Sequence, residues 1–436
     1  MISNWKKTQL VDVVSILGDG LHGTPKYDKN GEYYFINGNN LSNGKIVFKD
    51  DTKRVSHTEY EKYKKNLNDR TVLVSINGTL GNVALYNGEK CILGKSACYF
   101  NVKDEVDKQF IKYVVNTRDF KEYISRFANG TTIKNVSLKV MRNYEFLLPQ
   151  ITEQQAIGAT LSSIDNKIEL NNAINKNLEE MAQALFKRWF VDFQFPNENG
   201  EPYKSGGGEF EESELGLIPR GWQVDKIENY TKLVSRGIAP KYDDSSDKRV
   251  INQKCIRDGL LNKSLARRHN SKVNDDKQVQ FGDILVNSTG VGTLGRVTQV
   301  YEQLINYTVD SHVTIIRPNL VNGIGYMGCL LKGMQLNFEH AATGSTGQTE
   351  LGREVIKQMK IVIPDNNIVK QFSDIYHSIF EQIIMNQENN SSLYQIRDTI
   401  LPKLISGEIR VPLKEEYSRT YEMPLAAESK AQYSTT

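Results

Sequence analysis

The chain has 436 residues, of which 39% are hydrophobic and 25% charged, and its formal net charge is +3. These values fit a globular chain of two or three domains and exclude a disordered or collagen-like one. No apolar run reaches membrane-helix length, and the opening "MISNWKKTQLVDVV" lacks the apolar core of a signal peptide, so a cytoplasmic protein without membrane partners is expected.

Cys91, Cys98, Cys255 and Cys329 form no C-x-x-C pair and read as free thiols in a reducing compartment. The six histidines do not pair at i, i+3 or i, i+4, so no metal site is expected. Charge is spread unevenly. Residues 236–277 carry eleven Lys/Arg against six Asp/Glu, and residues 45–70 carry eight against five. Such runs suit either a solvated face or a nucleic-acid contact.

In chain order, the first 150 residues recur. "TPKY" (24–27) answers to "APKY" (239–242), and "IN" at 36–37 to "IN" at 251–252. "GTLG" (78–81) answers to "GTLG" (292–295), "ANGTT" (128–132) to "ATGST" (342–346), and Trp5 to Trp222. "LLP" ending at Pro149 answers to "VIP" ending at Pro364. Offsets stay near 215, with small drifts of the kind that loop insertions produce. Globular parts are therefore expected at 1–150 and 222–365.

The second copy contains G-x-G-x-x-G, at Gly290, Gly292 and Gly295. A dinucleotide site needs a helix N-terminus after those glycines, facing the pyrophosphate. Here "RVTQVY" (296–301) follows, β-branched and alternating, which predicts a strand. The first copy lacks the first of the three glycines, since the second has two extra residues in the turn. A tight hairpin with positive φ is the better expectation. "GEKCILGKSA" (88–97) fails as a P-loop because the required first glycine is Glu89.

After Pro149 the pattern becomes helical. Ile157, Leu161, Ile164, Ile168, Asn171, Asn175, Leu178, Ala182, Leu185 and Trp189 alternate spacings of four and three, the seam of a coiled coil. Adding 215 from Ile164 onward gives Ile379, Ile383, Asn386, Asn390, Leu393, Arg397 and Ile400, with the same two asparagine interruptions. Helices are expected at 151–191 and 366–412. A helix of about 40 residues spans about 60 Å. Packed antiparallel against each other, the two would relate the copies by a pseudo-twofold axis. Asn171 and Asn175 would then lie opposite Asn386 and Asn390 and set the register. Residues 192–221, rich in Gly, Pro and Glu, read as a linker with local turns, and 413–436 as a polar tail. The fold class is thus α+β: two tandem-repeated, β-rich α/β domains and two long helices.

Each copy begins with Trp and passes through a [AT]-P-K-Y turn, an "IN" strand, a "GTLG" hairpin and a "G-[ST]-T" loop. With "LPQITEQQAIGATL" (148–161), the linker "FPNENGEPYKSGGGEFEESELGLIPRGW" (195–222) and "LPKLISGEI" (401–409), this resembles the DNA-specificity subunit of type I restriction–modification enzymes over roughly residues 1–412. The resemblance implies two target recognition domains, each reading half of a split DNA sequence, with the helices as spacer. It also implies two methyltransferase subunits bound to the helices, and restriction subunits joining through the complex. S-adenosylmethionine, ATP and Mg²⁺ would belong to those other subunits, and this chain would bind no cofactor and catalyse nothing.

No motif of the family names base contacts, so candidates rest on chemistry and placement. In the first copy they are Lys26 and Tyr27 beside Pro25, Asn77 and Thr79 in the hairpin, Lys95, and Thr131, Thr132 and Lys134. In the second they are Lys241, Tyr242, Arg267, Arg268, His269, Thr289, Thr293, Ser345, Thr346 and Gln348. "ARRHN" (266–270) offers two guanidiniums and an imidazole in one polar loop, as a DNA contact or as a solvated turn. Phe186, Trp189 and Phe190 crowd one helix end and, with Leu401 and Leu404, are candidates for the methyltransferase contact; their alternative is their own domain's core. Two other functions stay open: a coiled-coil adaptor that binds only protein, and an enzyme using a nucleotide at "GVGTLG".

Overall fold

The computed structural model describes residues 5–130, 134–319, 323–344 and 349–412. Two compact units partition the chain: Met1–Glu169 with Asn390–Thr436, and Leu170–Asn389.

Unit 1 is built on a four-stranded antiparallel sheet in the order Val14–Asp19, Ala97–Val102, Thr71–Ser75, Val83–Leu85. A three-stranded sheet, in the order Arg54–Val55, Tyr33–Ile36, Cys91–Leu93, stands beside it. The strand Lys6–Gln9 closes the repeat by pairing antiparallel with Glu145–Leu148. Unit 2 repeats each of these pairings. Its four-stranded sheet runs Thr231–Arg236, Val313–Pro318, Ile284–Asn287, Val297–Gln299. Its three-stranded sheet runs Arg267–Arg268, Arg249–Ile251, Tyr307–Val309, and Gln223–Lys226 pairs with Lys360–Ile363. The central strands are continuous apolar runs, "TVLVS" and "ILVN", buried along their whole length as strands covered on both faces are.

The first long helix spans Ile151–Phe186 and the second Asn366–Ser406. Every seam position from Ile157 to Trp189 and from Ile379 to Ile400 is buried or half-buried. Within unit 1 the helices pair antiparallel: Arg397 donates to Asp165 at 3.0 Å and Arg410 to Glu153 at 2.6 Å. Unit 2 shows the same sense, with Asn386 donating to Asn175 at 2.8 Å and Phe372 lying against Phe186. Asn171, Asn175, Asn386 and Asn390 are all buried. The first helix is anchored at its start by Gln154, whose amide donates to Pro149 O and accepts from the Asp107 amide. The second ends at Gly407, with φ of +75°, in the left-handed C-cap conformation that favours glycine.

Three sequence expectations change. Phe186, Trp189 and Phe190 are core residues of unit 2, not a partner face: each is 6–8% exposed. A five-residue π-turn, Lys187–Val191, ends the first helix and turns them among Trp222, Tyr326 and Phe372. Leu401 and Leu404 are likewise buried, packed in the core of unit 1 with Trp5. Residues 192–221 carry structure of their own, a hairpin of Phe210–Ser213 with Gly216–Pro219. Phe195 stacks between Tyr203 and Trp222, which fixes that segment to unit 2.

Candidate nucleic-acid interface

The matching registers set up position-for-position equivalences. In the four-stranded sheets Asn101 faces Thr71, and Arg317 falls opposite Asp283. In the three-stranded sheets Tyr34 faces Arg54, and Arg249 faces Arg268. The bridge Tyr27–Val55 becomes Tyr242–His269. The amide of Ile76 donates to Ser96 O, and that of Ser288 to His312 O, so Asn77 and Thr289 occupy one place and Ser96 and His312 another.

Both glycine motifs are hairpins. Strand Thr71–Ser75 pairs antiparallel with Val83–Leu85, and Ile284–Asn287 with Val297–Gln299. Gly78, Gly81, Gly290, Gly292 and Gly295 all have positive φ, between +71° and +101°. No helix follows Gly295, so the pyrophosphate geometry of a dinucleotide site is not built here.

Around the first hairpin, Asn77 and Lys95 line an open cleft together with Asp19, His22 and Asn135. Asn77 donates to the Asn135 side chain at 3.2 Å, and the Gly78 amide donates to Lys134 O, which brings Lys134 to the hairpin. Thr79 is exposed at its tip. Thr131, Thr132, Ser345, Thr346 and Gln348 lie outside the described residues. Lys26 and Tyr27 do not line this cleft. They sit by the three-stranded sheet, where the Lys26 amide donates to Glu59 and Tyr27 bridges Val55.

Unit 2 divides the same way. Thr289 and Thr293 belong to the hairpin, where Thr293 Oγ1 donates to Gly290 O at 3.3 Å as local turn chemistry. Lys241, Tyr242, Arg267 and Arg268 group at the small sheet. The Arg267 guanidinium lies 3.3 Å from the centroid of the exposed Tyr242 ring, a cation–π contact that holds its planar fork rigid. Arg268 donates to Asp244 O and Ser246 O and so ties the preceding loop.

His269 does not join this surface. It is 1% exposed, and its Nδ1 accepts from the Ser271 amide. Burial, and then the nearby Lys248 charge, lower its pKa from the ordinary imidazole value. It fills the place of buried Val55 in the first repeat.

Sequence reasoning misses four exposed residues. Lys53 stands where Arg267 stands, beside Arg54 in the place of Arg268; the repeat offset of 214 signals both pairs. His22 accompanies Asp19 at 2.6 Å. His312 is exposed at the second hairpin, and no sequence motif marks it. All four cysteines are buried and free, and burial pushes the Cys91 thiol up to about 12. Among the described residues no His, Cys, Asp or Glu cluster could hold a metal ion, and no helix is long and apolar enough to cross a membrane.

One strand frame is built twice in this chain, with different polar loops on each copy. Residues 2–180 match the family described as "Type I restriction modification DNA specificity domain". The chain is 26% identical to the type I restriction enzyme MjaIX specificity subunit of Methanocaldococcus jannaschii, covering 94% of each chain. It is 23% identical to the HindI specificity subunit of Haemophilus influenzae, over 69% of this chain and 77% of that one. The fold is similar to the type I restriction–modification S subunit of M. genitalium, with a TM-score of 0.55 at 18% identity, covering 92% of this chain and 96% of that one. The chain is thus similar to type I restriction–modification specificity subunits, with the family's DNA specificity domain matched over residues 2–180.

Proposed function

We propose that this chain is the non-catalytic reader of a bipartite DNA target, each repeat reading one half-site. The observation that carries this is the paired edge: one strand frame presents Asn77, Lys95 and Lys134 in unit 1 and Thr289 and His312 in unit 2. Flanking cations, Lys53 and Arg54 in one repeat and Arg267 and Arg268 in the other, suit phosphates. Phosphate contacts would supply affinity and register, and base-edge contacts sequence. The helices would set the gap between half-sites and, through their exposed faces, recruit two methyltransferase subunits and through them restriction subunits. S-adenosylmethionine, ATP and Mg²⁺ would be used on those other subunits.

Mapping modified adenines in a host carrying the chain with its methyltransferase, with and without this gene, tests the reading. A split motif that vanishes with the gene is expected. If no motif depends on the gene, the protein-only adaptor takes its place.

A further inference from the structure

Gly290, the extra glycine of the second hairpin, does more than turn the chain. Its φ is +101°, and a Cβ there would come within 2.5 Å of Thr293 Oγ1 and 2.7 Å of Gln253 Nε2. So Gly290 makes room for the Gln253 amide against the hairpin. That amide donates both to the Thr289 carbonyl and to Thr289 Oγ1, each at 2.9 Å. A carbonyl can only accept, which fixes the atom facing it as Nε2. Thr289 Oγ1 thus accepts from Gln253, and it lies 2.7 Å from His312 Nδ1. With one lone pair engaged by Gln253, the hydroxyl can give its own proton to Nδ1. In that arrangement the imidazole proton sits on Nε2.

The backbone around the ring is fixed too. The His312 amide donates to Asp310 Oδ1 at 2.9 Å, and its carbonyl accepts from Ser288 at 2.9 Å. The residue is exposed, and among the described residues Nε2 has no hydrogen-bond partner. In the first repeat nothing of this exists. Gly38 replaces Gln253, and Ser96 replaces His312 and turns inward to Asn37.

We infer that His312 is a base-reading residue of unit 2, presenting a fixed Nε2–H donor to a major-groove acceptor, with Gln253 and Thr289 as positioning residues that set its tautomer. This rests on the DNA-reading function proposed above. Guanine, with N7 and O6 both accepting, answers such a donor best. Cytosine, which offers only an amino donor there, answers it worst.

The test is the modified-adenine map of the full complex, taken with the parent chain and with His312→Ala, Thr289→Val and Gln253→Leu. His312→Ala should release one position in one half-site, raising use of cytosine there about tenfold, and leave the other half-site as sharp as before. Thr289→Val keeps the side chain's size and removes only the hydroxyl. It should soften the same position, as should Gln253→Leu, which a merely structural role would not confine to one base pair. Should both His312→Ala and Thr289→Val leave every position unchanged, the assignment is overturned. It is overturned equally if they soften different positions. A parent chain with no gene-dependent motif would instead defeat the DNA-reading function itself, and this inference with it.

Discussion

The two repeats share a strand frame and differ in how they fill it, most plainly where each unit grips its helices. In unit 1 the grip is ionic. Asp165 on the first helix accepts from Tyr113 at 2.6 Å, from buried Lys112 at 3.1 Å and from Arg397 at 3.0 Å. The seam offset of 215 carries Asp165 to Phe380, and there unit 2 is aromatic. Phe380 stacks on Tyr301 with centroids 3.5 Å apart, and the Tyr301 and Tyr376 hydroxyls meet at 2.5 Å. The same exchange runs through the sheets in reverse. Thr71 donates to Asn101 at 2.6 Å in unit 1, where unit 2 has a buried ion pair, Arg317 with Asp283, at 2.7 Å and 2.8 Å. Backbone registers are thus preserved while the chemistry that satisfies each buried position is free to change, provided every polar group keeps a partner.

The largest effect should come from the aromatic grip. Phe372 is fully buried with Phe186, Trp189, Phe190 and Tyr376 around it. Phe372→Ala should cost about 4–5 kcal/mol, read as faster amide exchange in unit 2, with unit 1 amides as the internal standard. Equal acceleration in both units would break the comparison.

Next is the ion pair. Asp283→Ala leaves the Arg317 guanidinium, whose side chain is only 13% exposed, without its carboxylate, and should cost about 3 kcal/mol. Carrying the unit 1 pair across, as Asp283→Thr with Arg317→Asn, should recover most of that loss in chemical denaturation. Recovery no better than the single change would show that the two pairs are not interchangeable.

The ionic grip predicts a pH signature confined to unit 1. Burial raises the Asp165 pKa, but the Tyr113 hydrogen bond and the Lys112 and Arg397 charges outweigh it, so the carboxyl lies below its ordinary value. Its stabilisation is therefore present above the unfolded pKa of about 3.9 and lost as pH falls through the lower folded value. Asp165→Asn should cost about 2 kcal/mol near neutrality and flatten the acid-side loss of unit 1 protection below about pH 4. An unchanged acid slope would remove Asp165 from that role.

The smallest effects concern the cations. Arg267→Ala with Arg268→Ala should weaken DNA binding by the complex and lower the salt slope by about 0.9 for each phosphate no longer neutralised. Lys53→Ala should do the same at the equivalent place in unit 1, by a single phosphate at most. An unaltered slope in either would take that residue off the DNA face.

Much of the fold is legible in the sequence because it is periodic. The alternation of four and three residues marks both helices, and the alternating "RVTQVY" after Gly295 marks a hairpin rather than a nucleotide turn. The site is less so. His269 reads as one more polar residue after Arg267 and Arg268, yet the bridge to Tyr242 buries it. Its alignment with Val55 is the available signal. Phe186, Trp189 and Phe190 look like a surplus of aromatic surface on a helix. Trp222, Tyr326 and Phe372, which absorb that surplus, are distant in sequence, and nothing local pairs them.

The repeat, the elements and the family resemblance of the chain follow from its residues alone, because periodicity and recurrence are properties of neighbouring residues and fixed offsets. Which polar groups stay available follows only from how the chain packs. Whether a histidine is buried like His269 or set to donate like His312 depends on Val55-like packing in one case and on Gln253 reaching past Gly290 in the other. Those contacts form between segments tens of residues apart, where burial and hydrogen-bond partners, not residue type, fix what a side chain can do.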